Sequence, residues 1–183
     1  METFISVLRG INVSGQKKIL MADLKELYAA LNFKNITTYI QSGNVVFKTD
    51  SKLSNQDLAK EIEKAIQQKY SFAVPVIIRR ADELAQVVGA NPFLSDSTID
   101  TEKLHVTFLA EIPQESNLEK LNTFYYPPDQ FEVIGQEVYL HIPERYGDTK
   151  LSNSFFETKL KVSATTRNWK TVQQLNQMAS LLA

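Results

Sequence analysis

The chain has 183 residues, 43% of them hydrophobic and 22% charged, enough apolar material for one large core or two small ones. Twenty basic residues against twenty-one acidic ones leave a formal net charge of -1, so a strong nonspecific affinity for nucleic acid or an anionic membrane is not expected. There is no cysteine, which excludes disulfides, thiolate nucleophiles and cysteine metal sites.

Met1 runs almost directly into the apolar segment Phe4 to Leu8 with no basic leader, and no later run approaches membrane-spanning length. A cytoplasmic protein with no membrane partner is the expectation. Thr3 to Leu8 reads as a first strand, and Arg9 to Leu20 as a long loop carrying two glycines and two lysines. From Met21, the three- and four-residue spacing of Leu24, Leu27, Tyr28 and Leu31 predicts a helix whose stripe packs into the core. Ile36 to Gln41 and Asn44 to Lys48 then meet across a Ser42-Gly43-Asn44 turn, where glycine or asparagine can take the positive φ of a tight hairpin.

Ser54 signals the next helix: its hydroxyl can cap the first turn, Asp57 follows three residues on, and Leu53 and Leu58 are placed as a hydrophobic staple. Leu58, Ile62, Ala65 and Ile66 continue the stripe. Val74 to Arg79 is a further strand, which Pro75 restricts to an edge or a strand start. The order βαββαβ predicts an antiparallel four-stranded sheet with both helices on one face, the ferredoxin-like plait. Ala81 to Val88 reads as a short helix, and the polar run through Thr101 as a linker. Beyond it, Lys103 to Leu109, Gln114 to Leu121, Phe131 to Ile134, Glu137 to Ile142 and Ser152 to Leu160 repeat the pattern as βαββα, and a last helix carries Trp169, Val172, Leu175, Ala179 and Leu182 on one stripe. The fold class is therefore α+β: two ferredoxin-like subdomains, 1–80 and 103–183, joined by 81–102, with a C-terminal helix.

Gly10 and Gly15 are spaced as in a phosphate-binding P-loop, but Gln16, Lys17 and Lys18 follow where lysine and then serine or threonine are needed, so nucleotide hydrolysis is excluded. A weaker anion cradle of glycine amides with Arg9, Lys17 and Lys18 remains open. The two histidines, His105 and His141, fall on the polar alternation of their strands and are expected to project from one sheet face with Thr107, Tyr139 and Glu132. Without an acidic cluster they make a poor metal site, and neither metal nor cofactor is expected. Plait folds often stack single-stranded RNA on aromatics of the central strands. Here Phe4 fits, but Ser42 to Phe47 lacks the basic-Gly-aromatic pattern.

The segments Leu8-Arg9-Gly10-Ile11-Asn12-Val13, Thr38 to Phe47, Asn91-Pro92-Phe93 and Ala164-Thr165-Thr166-Arg167-Asn168-Trp169 resemble, in order and over nearly the whole chain, the bacterial domain of unknown function 1697 family. The resemblance implies two plait-like α+β subdomains and carries over no catalytic residue. Ser14 departs from a position where members often have another glycine. The leading functional expectation is a binding module for a small anionic or polar ligand, with Arg9, Asn12, Lys17, Lys18, Ser42, Asn44, Arg167 and Asn168 as candidate ligand-binding residues. Thr165, Thr166 and Asn168 are read as caps at the N-terminus of the last helix, with Arg167 close to its positive pole. The alternatives are an enzyme acting on a phosphate- or carboxylate-bearing molecule, with Arg9, Asn44 and Arg167 orienting it and a histidine moving a proton, and a protein-partner or single-stranded nucleic-acid binder with Phe93 or Tyr125-Tyr126 exposed. Oligomeric state is not legible.

Overall fold

The computed structural model describes residues 1–182. Its contacts divide the chain into two compact units, Met1–Gln86 together with the residues from Gln174 on, and Val87–Gln173.

In the first unit, β1 (Glu2–Leu8), α1 (Met21–Ala30), β2 (Lys34–Tyr39), β3 (Asn44–Thr49), α2 (Asn55–Tyr70) and β4 (Val76–Arg80) form an antiparallel sheet in the order β2-β3-β1-β4. The expected helical stripes are the buried ones: Leu24, Leu27 and Tyr28 on α1 and Leu58, Ile62 and Ile66 on α2 meet Phe4, Leu8, Val45, Phe47, Val76 and Ile78 of the sheet. Phe47 stacks on Phe33 at 4.6 Å and meets the Tyr28 ring edge-on at 5.3 Å. The Tyr28 hydroxyl is satisfied by Ser6 Oγ at 2.7 Å, and burial raises its pKa. Phe4 and Phe47 are thus core residues, 2% and 0% exposed, with no face to offer a nucleic-acid base.

In the second unit, β5 (Leu104–Leu109), α4 (Glu115–Leu121), β6 (Gln130–Ile134), β7 (Glu137–His141), α5 (Asn153–Leu160) and β8 (Ala164–Asn168) give the order β6-β7-β5-β8, again antiparallel. Two sheets with the same 2-3-1-4 order are consistent with two ferredoxin-like subdomains. The strand β8 is a correction to the sequence reading, which ran Ala164–Asn168 into the cap of the last helix. Its residues pair with β5 from His105↔Asn168 to Leu109↔Ala164.

The units repeat each other in detail as well as in order. Each second helix begins at a serine cap, Ser54 Oγ accepting from the Asp57 amide at 3.1 Å and Ser152 Oγ from Phe155 at 3.2 Å, and each ends at a left-handed residue, Ser71 or Lys161. Each then ties down the fourth strand with a glutamate: Glu63 Oε1 accepts from the Val76 amide at 2.8 Å, and Glu157 Oε1 from the Ala164 amide at 3.0 Å. Leu53 stays 46% exposed, so the serine cap, rather than a staple, closes the start of α2.

The stretch 81–102 is structured along its length rather than an open connector. α3 (Ala81–Gly89) leads into 3₁₀ turns at Pro92–Ser95 and Thr101–Lys103. Its polar residues serve the backbone: Asn91 Oδ1 accepts from the Phe93 amide, Asp96 Oδ1 from Thr98 and Asp100 Oδ1 from Glu102. Val87 and the residues after it group with the second unit, where Tyr139 Oη donates to the Val87 carbonyl at 3.0 Å and Phe93 lies 5.9 Å from the His141 ring. The last helix, α6 (Trp169–Leu182), buries Trp169, Val172, Leu175 and Ala179 as its spacing predicts. From Gln174 on it groups with the first unit, where Thr3 Oγ1 donates to the Leu182 carbonyl at 3.3 Å. Among the described residues, no helix is long and apolar enough to cross a membrane.

Candidate functional site

Six of the candidate residues gather at one end of the first sheet. The loop between β1 and α1 is a miniature hairpin: Asn12 N donates to the Lys17 carbonyl at 3.2 Å and Gln16 N to the Val13 carbonyl at 2.9 Å, with Ser14 (φ 52°) and Gly15 (φ 72°) at its tip. Two positive φ values at the central positions are what a type I′ turn requires. Gly10 (φ 70°), Asn12 (φ 55°) and Lys17 (φ 45°) are left-handed too, so five of the eight residues from 10 to 17 occupy a region that costs a non-glycine residue about 1–2 kcal/mol.

Asn12 holds this loop in place. Its Nδ2 donates to the carbonyls of Ile19 (2.9 Å) and Gln41 (2.8 Å), and its Oδ1 accepts from the Ile19 amide at 2.9 Å. One side chain therefore joins the return of the loop to the β2–β3 turn. Lys17 Nζ donates to the Ala73 carbonyl at 2.7 Å, which anchors the loop on the approach to β4, while Lys18 is exposed. Arg9 is half-buried and its amide donates to the Pro75 carbonyl at 2.9 Å.

Ser42 and Asn44 brace the turn that the loop is tied to. Asn44 is fully buried, and its Nδ2 donates to the Tyr39 carbonyl (2.9 Å) and to Ser42 Oγ (3.0 Å). Between them Gly43 (φ 81°) is pressed against β1 and its loop, where an added Cβ would lie 2.7 Å from Ile11 Cδ1 and 2.8 Å from Leu8 Cβ. The loop's own bonds use the amides of Asn12 and Gln16, which shifts the weight of any anion recognition from backbone to the lysines. One more donor group stands beside them. Leu20 is the N-cap of α1 and supplies no side-chain hydrogen bond, and the first turn carries a single acidic residue, Asp23.

Arg167 and Asn168 lie in the second unit. Asn168 Oδ1 accepts from the Thr171 amide at 2.8 Å and caps α6, as expected of it. Arg167 is not at the helix pole but within β8, opposite Val106, with Nη1 donating to Thr165 Oγ1 and the Thr166 carbonyl, both at 3.0 Å. Burial brings its guanidinium down to about 10, so it stays charged at neutral pH. Thr166 faces the other way and binds Thr107 Oγ1 and Asn153 Oδ1, each at 2.7 Å.

The histidines do not share a face. His105 pairs with Leu140, and Leu104 with His141, so the two imidazoles emerge on opposite sides of the sheet. His105 and Thr107 lie on the side that Val138 and Leu140 present to the helices; His141, Tyr139 and Glu132 lie on the other. The His105 ring stacks on Tyr146 at 4.6 Å, its Nδ1 has no hydrogen-bond partner among the described residues, and burial lowers its pKa. His141 Nδ1 is 3.2 Å from Gln130 Oε1. The polar patch that would have moved a proton is therefore split. Among the described residues no group of three or more histidine, aspartate or glutamate side chains could hold a metal ion.

Open clefts of about 400 Å³, lined by Tyr125, Tyr126, Pro127, Pro128 and Asp129 with residues 144, 145 and 148–150, and about 520 Å³, at Glu2, Thr3, Arg80–Asp82, Ala85 and Ser180, include none of the candidate ligand-binding residues. Tyr125 is 80% exposed, whereas Tyr126 packs on Phe155 at 5.8 Å.

No curated protein matches the chain. Among solved structures, the conserved bacterial protein SP0830 from Streptococcus pneumoniae is similar over 98% of this chain and 99% of its own, with a TM-score of 0.76. At 19% identity this likeness is one of fold. The model of the family described as "Protein of unknown function (DUF1697)" matches residues 1–139, which takes in the first loop, the braced turn and Asn91-Pro92-Phe93, and the chain belongs to that family.

Proposed function

We propose that the protein is a cytoplasmic bacterial binding module for a small anionic ligand, received at the loop between β1 and α1. The observation that carries the reading is the construction of that loop. Asn12, Ser14 and Lys17, three non-glycine residues within six, are held in left-handed conformations and one asparagine ties their loop down, and stored backbone strain concentrates where a site is preorganised. Lys17 and Lys18 set the sign of the ligand, and the uncapped first turn of α1 favours the same sign. The absence of cysteine is compatible with a reducing compartment.

The test is the response to inorganic phosphate. Replacing Lys17 and Lys18 together by Glu is expected to abolish phosphate-induced thermal stabilisation, and Lys18→Glu alone, at the exposed lysine that takes no part in the loop's bonding, to weaken it while leaving the unliganded melting temperature almost unchanged, since exposed charges contribute little to stability. A double variant that responds to phosphate as the wild type does would refute the assignment.

A further inference from the structure

We propose that the second unit carries a separate binding site for a neutral carbohydrate, in the cleft of about 400 Å³ between its α4–β6 and β7–α5 connections. The case begins with what differs between the two units. The α4–β6 connection runs over 122–129 where its counterpart between α1 and β2 takes 31–33, and the β7–α5 connection runs over 142–152 where that between β3 and α2 takes 50–54. Both are more than twice as long. Because Gln130 at the start of β6 pairs with His141 at the end of β7, the two extensions leave the sheet side by side, and every residue lining the cleft belongs to one or the other. The first unit closes the same strand order without them, so the fold does not require them, and extra chain in the loops on one side of a repeat is where binding surfaces are built.

The extensions are tied to each other rather than loose. The Asp129 amide donates to the Tyr126 carbonyl at 2.9 Å and the Asp148 amide to the Arg145 carbonyl at 3.0 Å, which closes one turn on each side. Thr149 Oγ1 joins the two by donating to Asp129 Oδ2, and it accepts from the Leu151 amide at 3.1 Å. Tyr126 is fixed between Phe155, edge-on at 5.8 Å, and Lys150 Nζ, 5.1 Å from its ring centre. Tyr125 is 80% exposed and stacks on no other ring, so with the prolines, which have no N–H, it gives the cleft an apolar wall. Across from it the side chains of Glu144, Arg145 and Asp148 make no hydrogen bond; Arg145 Nε and Asp148 Oδ2 stand 3.9 Å apart, too far for one.

This lining selects the chemistry. The volume lies within the roughly 300–1,000 Å³ of small-molecule sites. Carboxylates at Asp129, Glu144 and Asp148 repel an anion, and Arg145 and Lys150 repel a cation. Among the described residues no group of carboxylates could hold a metal ion. A sugar hydroxyl both donates and accepts, so it can bond to guanidinium and carboxylate alike, while the C–H face of a pyranose ring lies flat on a tyrosine.

NMR titrations of the wild-type protein with glucose, galactose and N-acetylglucosamine, with L-phenylalanine as a zwitterionic control, test this. At least one sugar is expected to shift the amides of residues 122–129 and 142–152, and Tyr125→Ala to weaken its binding about tenfold. The melting temperature of Tyr125→Ala should match the wild type, since the ring is largely in water, so a lost response cannot be put down to unfolding. Lys18→Glu should leave sugar binding unchanged, which keeps this site distinct from the anion site of the first unit. No shift with any of the three sugars, shifts confined to other residues, or full affinity in Tyr125→Ala overturns the inference and leaves the anion reading standing. Tighter binding of L-phenylalanine than of every sugar would give the cleft to a zwitterion and overturn it as well.

Discussion

Ile11 closes over Gly43 so tightly that a methyl group on the glycine would lie 2.7 Å from the isoleucine Cδ1. The Leu8 amide donates to the Gly43 carbonyl at 2.9 Å, so the β2–β3 turn is pinned to the end of β1 by a hydrogen bond and a side-chain contact together. Gly43→Ala should therefore be costly on two counts. Its φ of 81° is unfavourable for any side chain, and the new atom meets both Ile11 and Leu8 Cβ. A loss of about 3 kcal/mol in denaturant unfolding is expected from the sum of strain and overpacking. A loss under about 1 kcal/mol would show that the turn yields, and that the close approach is not a constraint.

Asn12 is the second anchor, and its replacement separates geometry from hydrogen bonding. Asn12→Ala removes three hydrogen bonds and places alanine at φ 55°, for an expected loss of about 2–3 kcal/mol. Asn12→Gly keeps the backbone comfortable and should recover about 1 kcal/mol of that. Amide hydrogen exchange across residues 13–18 should quicken in both variants. Protection unchanged from the wild type would mean that the loop stands without its asparagine.

The helices and most strands were legible because each buries one face, which writes its period into the sequence. Leu58, Ile62 and Ile66 are an example, and all three are fully buried. β8 was not legible. Its five residues, Ala-Thr-Thr-Arg-Asn, are mostly polar, yet Ala164, Thr165 and Arg167 are buried and Thr166 is held by two side-chain hydrogen bonds, so no alternation of hydrophobicity appears. The histidines failed for a different reason. Polar alternation within each strand places a residue on a face, but only the register between strands says whether two faces coincide, and His105 pairs with Leu140 rather than with His141. The candidate site was half legible: Asn12, Ser42 and Asn44 do lie close together, but Asn12 and Asn44 donate their amides to backbone carbonyls and Ser42 Oγ accepts from Asn44.

The junction of β8 with α6 offers a test in which two neighbouring residues should differ sharply. Asn168 is exposed and contributes one cap, so Asn168→Ala should cost about 1 kcal/mol, and Asn168→Ser much less. Trp169 is 2% exposed, and Trp169→Ala should cost about 3–5 kcal/mol. Urea midpoints of the three variants would check the order. A tryptophan loss no larger than the cap loss would mean that the cavity collapses or that Trp169 is not packed as described.

His105 should make stability depend on pH in a window where the carboxylates do not. Its pKa is lowered from the ordinary 6.5, chiefly by burial, with the Lys103 backbone opposing in part. The folded state therefore resists protonation more than the unfolded chain does. Above 6.5 neither state holds the proton and His105 adds no pH dependence. As the pH falls through 6.5, the unfolded chain takes up a proton that the folded chain refuses, and stability declines until the folded-state pKa is passed. Asp57, Asp82 and Asp96 are shifted downward from an ordinary 3.8, so their losses begin at lower pH. Comparing urea midpoints at pH 7.5 and 5.5 should thus show a drop in the wild type that is reduced in His105→Phe, which retains an aromatic ring to stack on Tyr146 and cannot titrate. An equal drop in both proteins would show that His105 titrates normally, and that its burial beneath Tyr146 is too loose to exclude water.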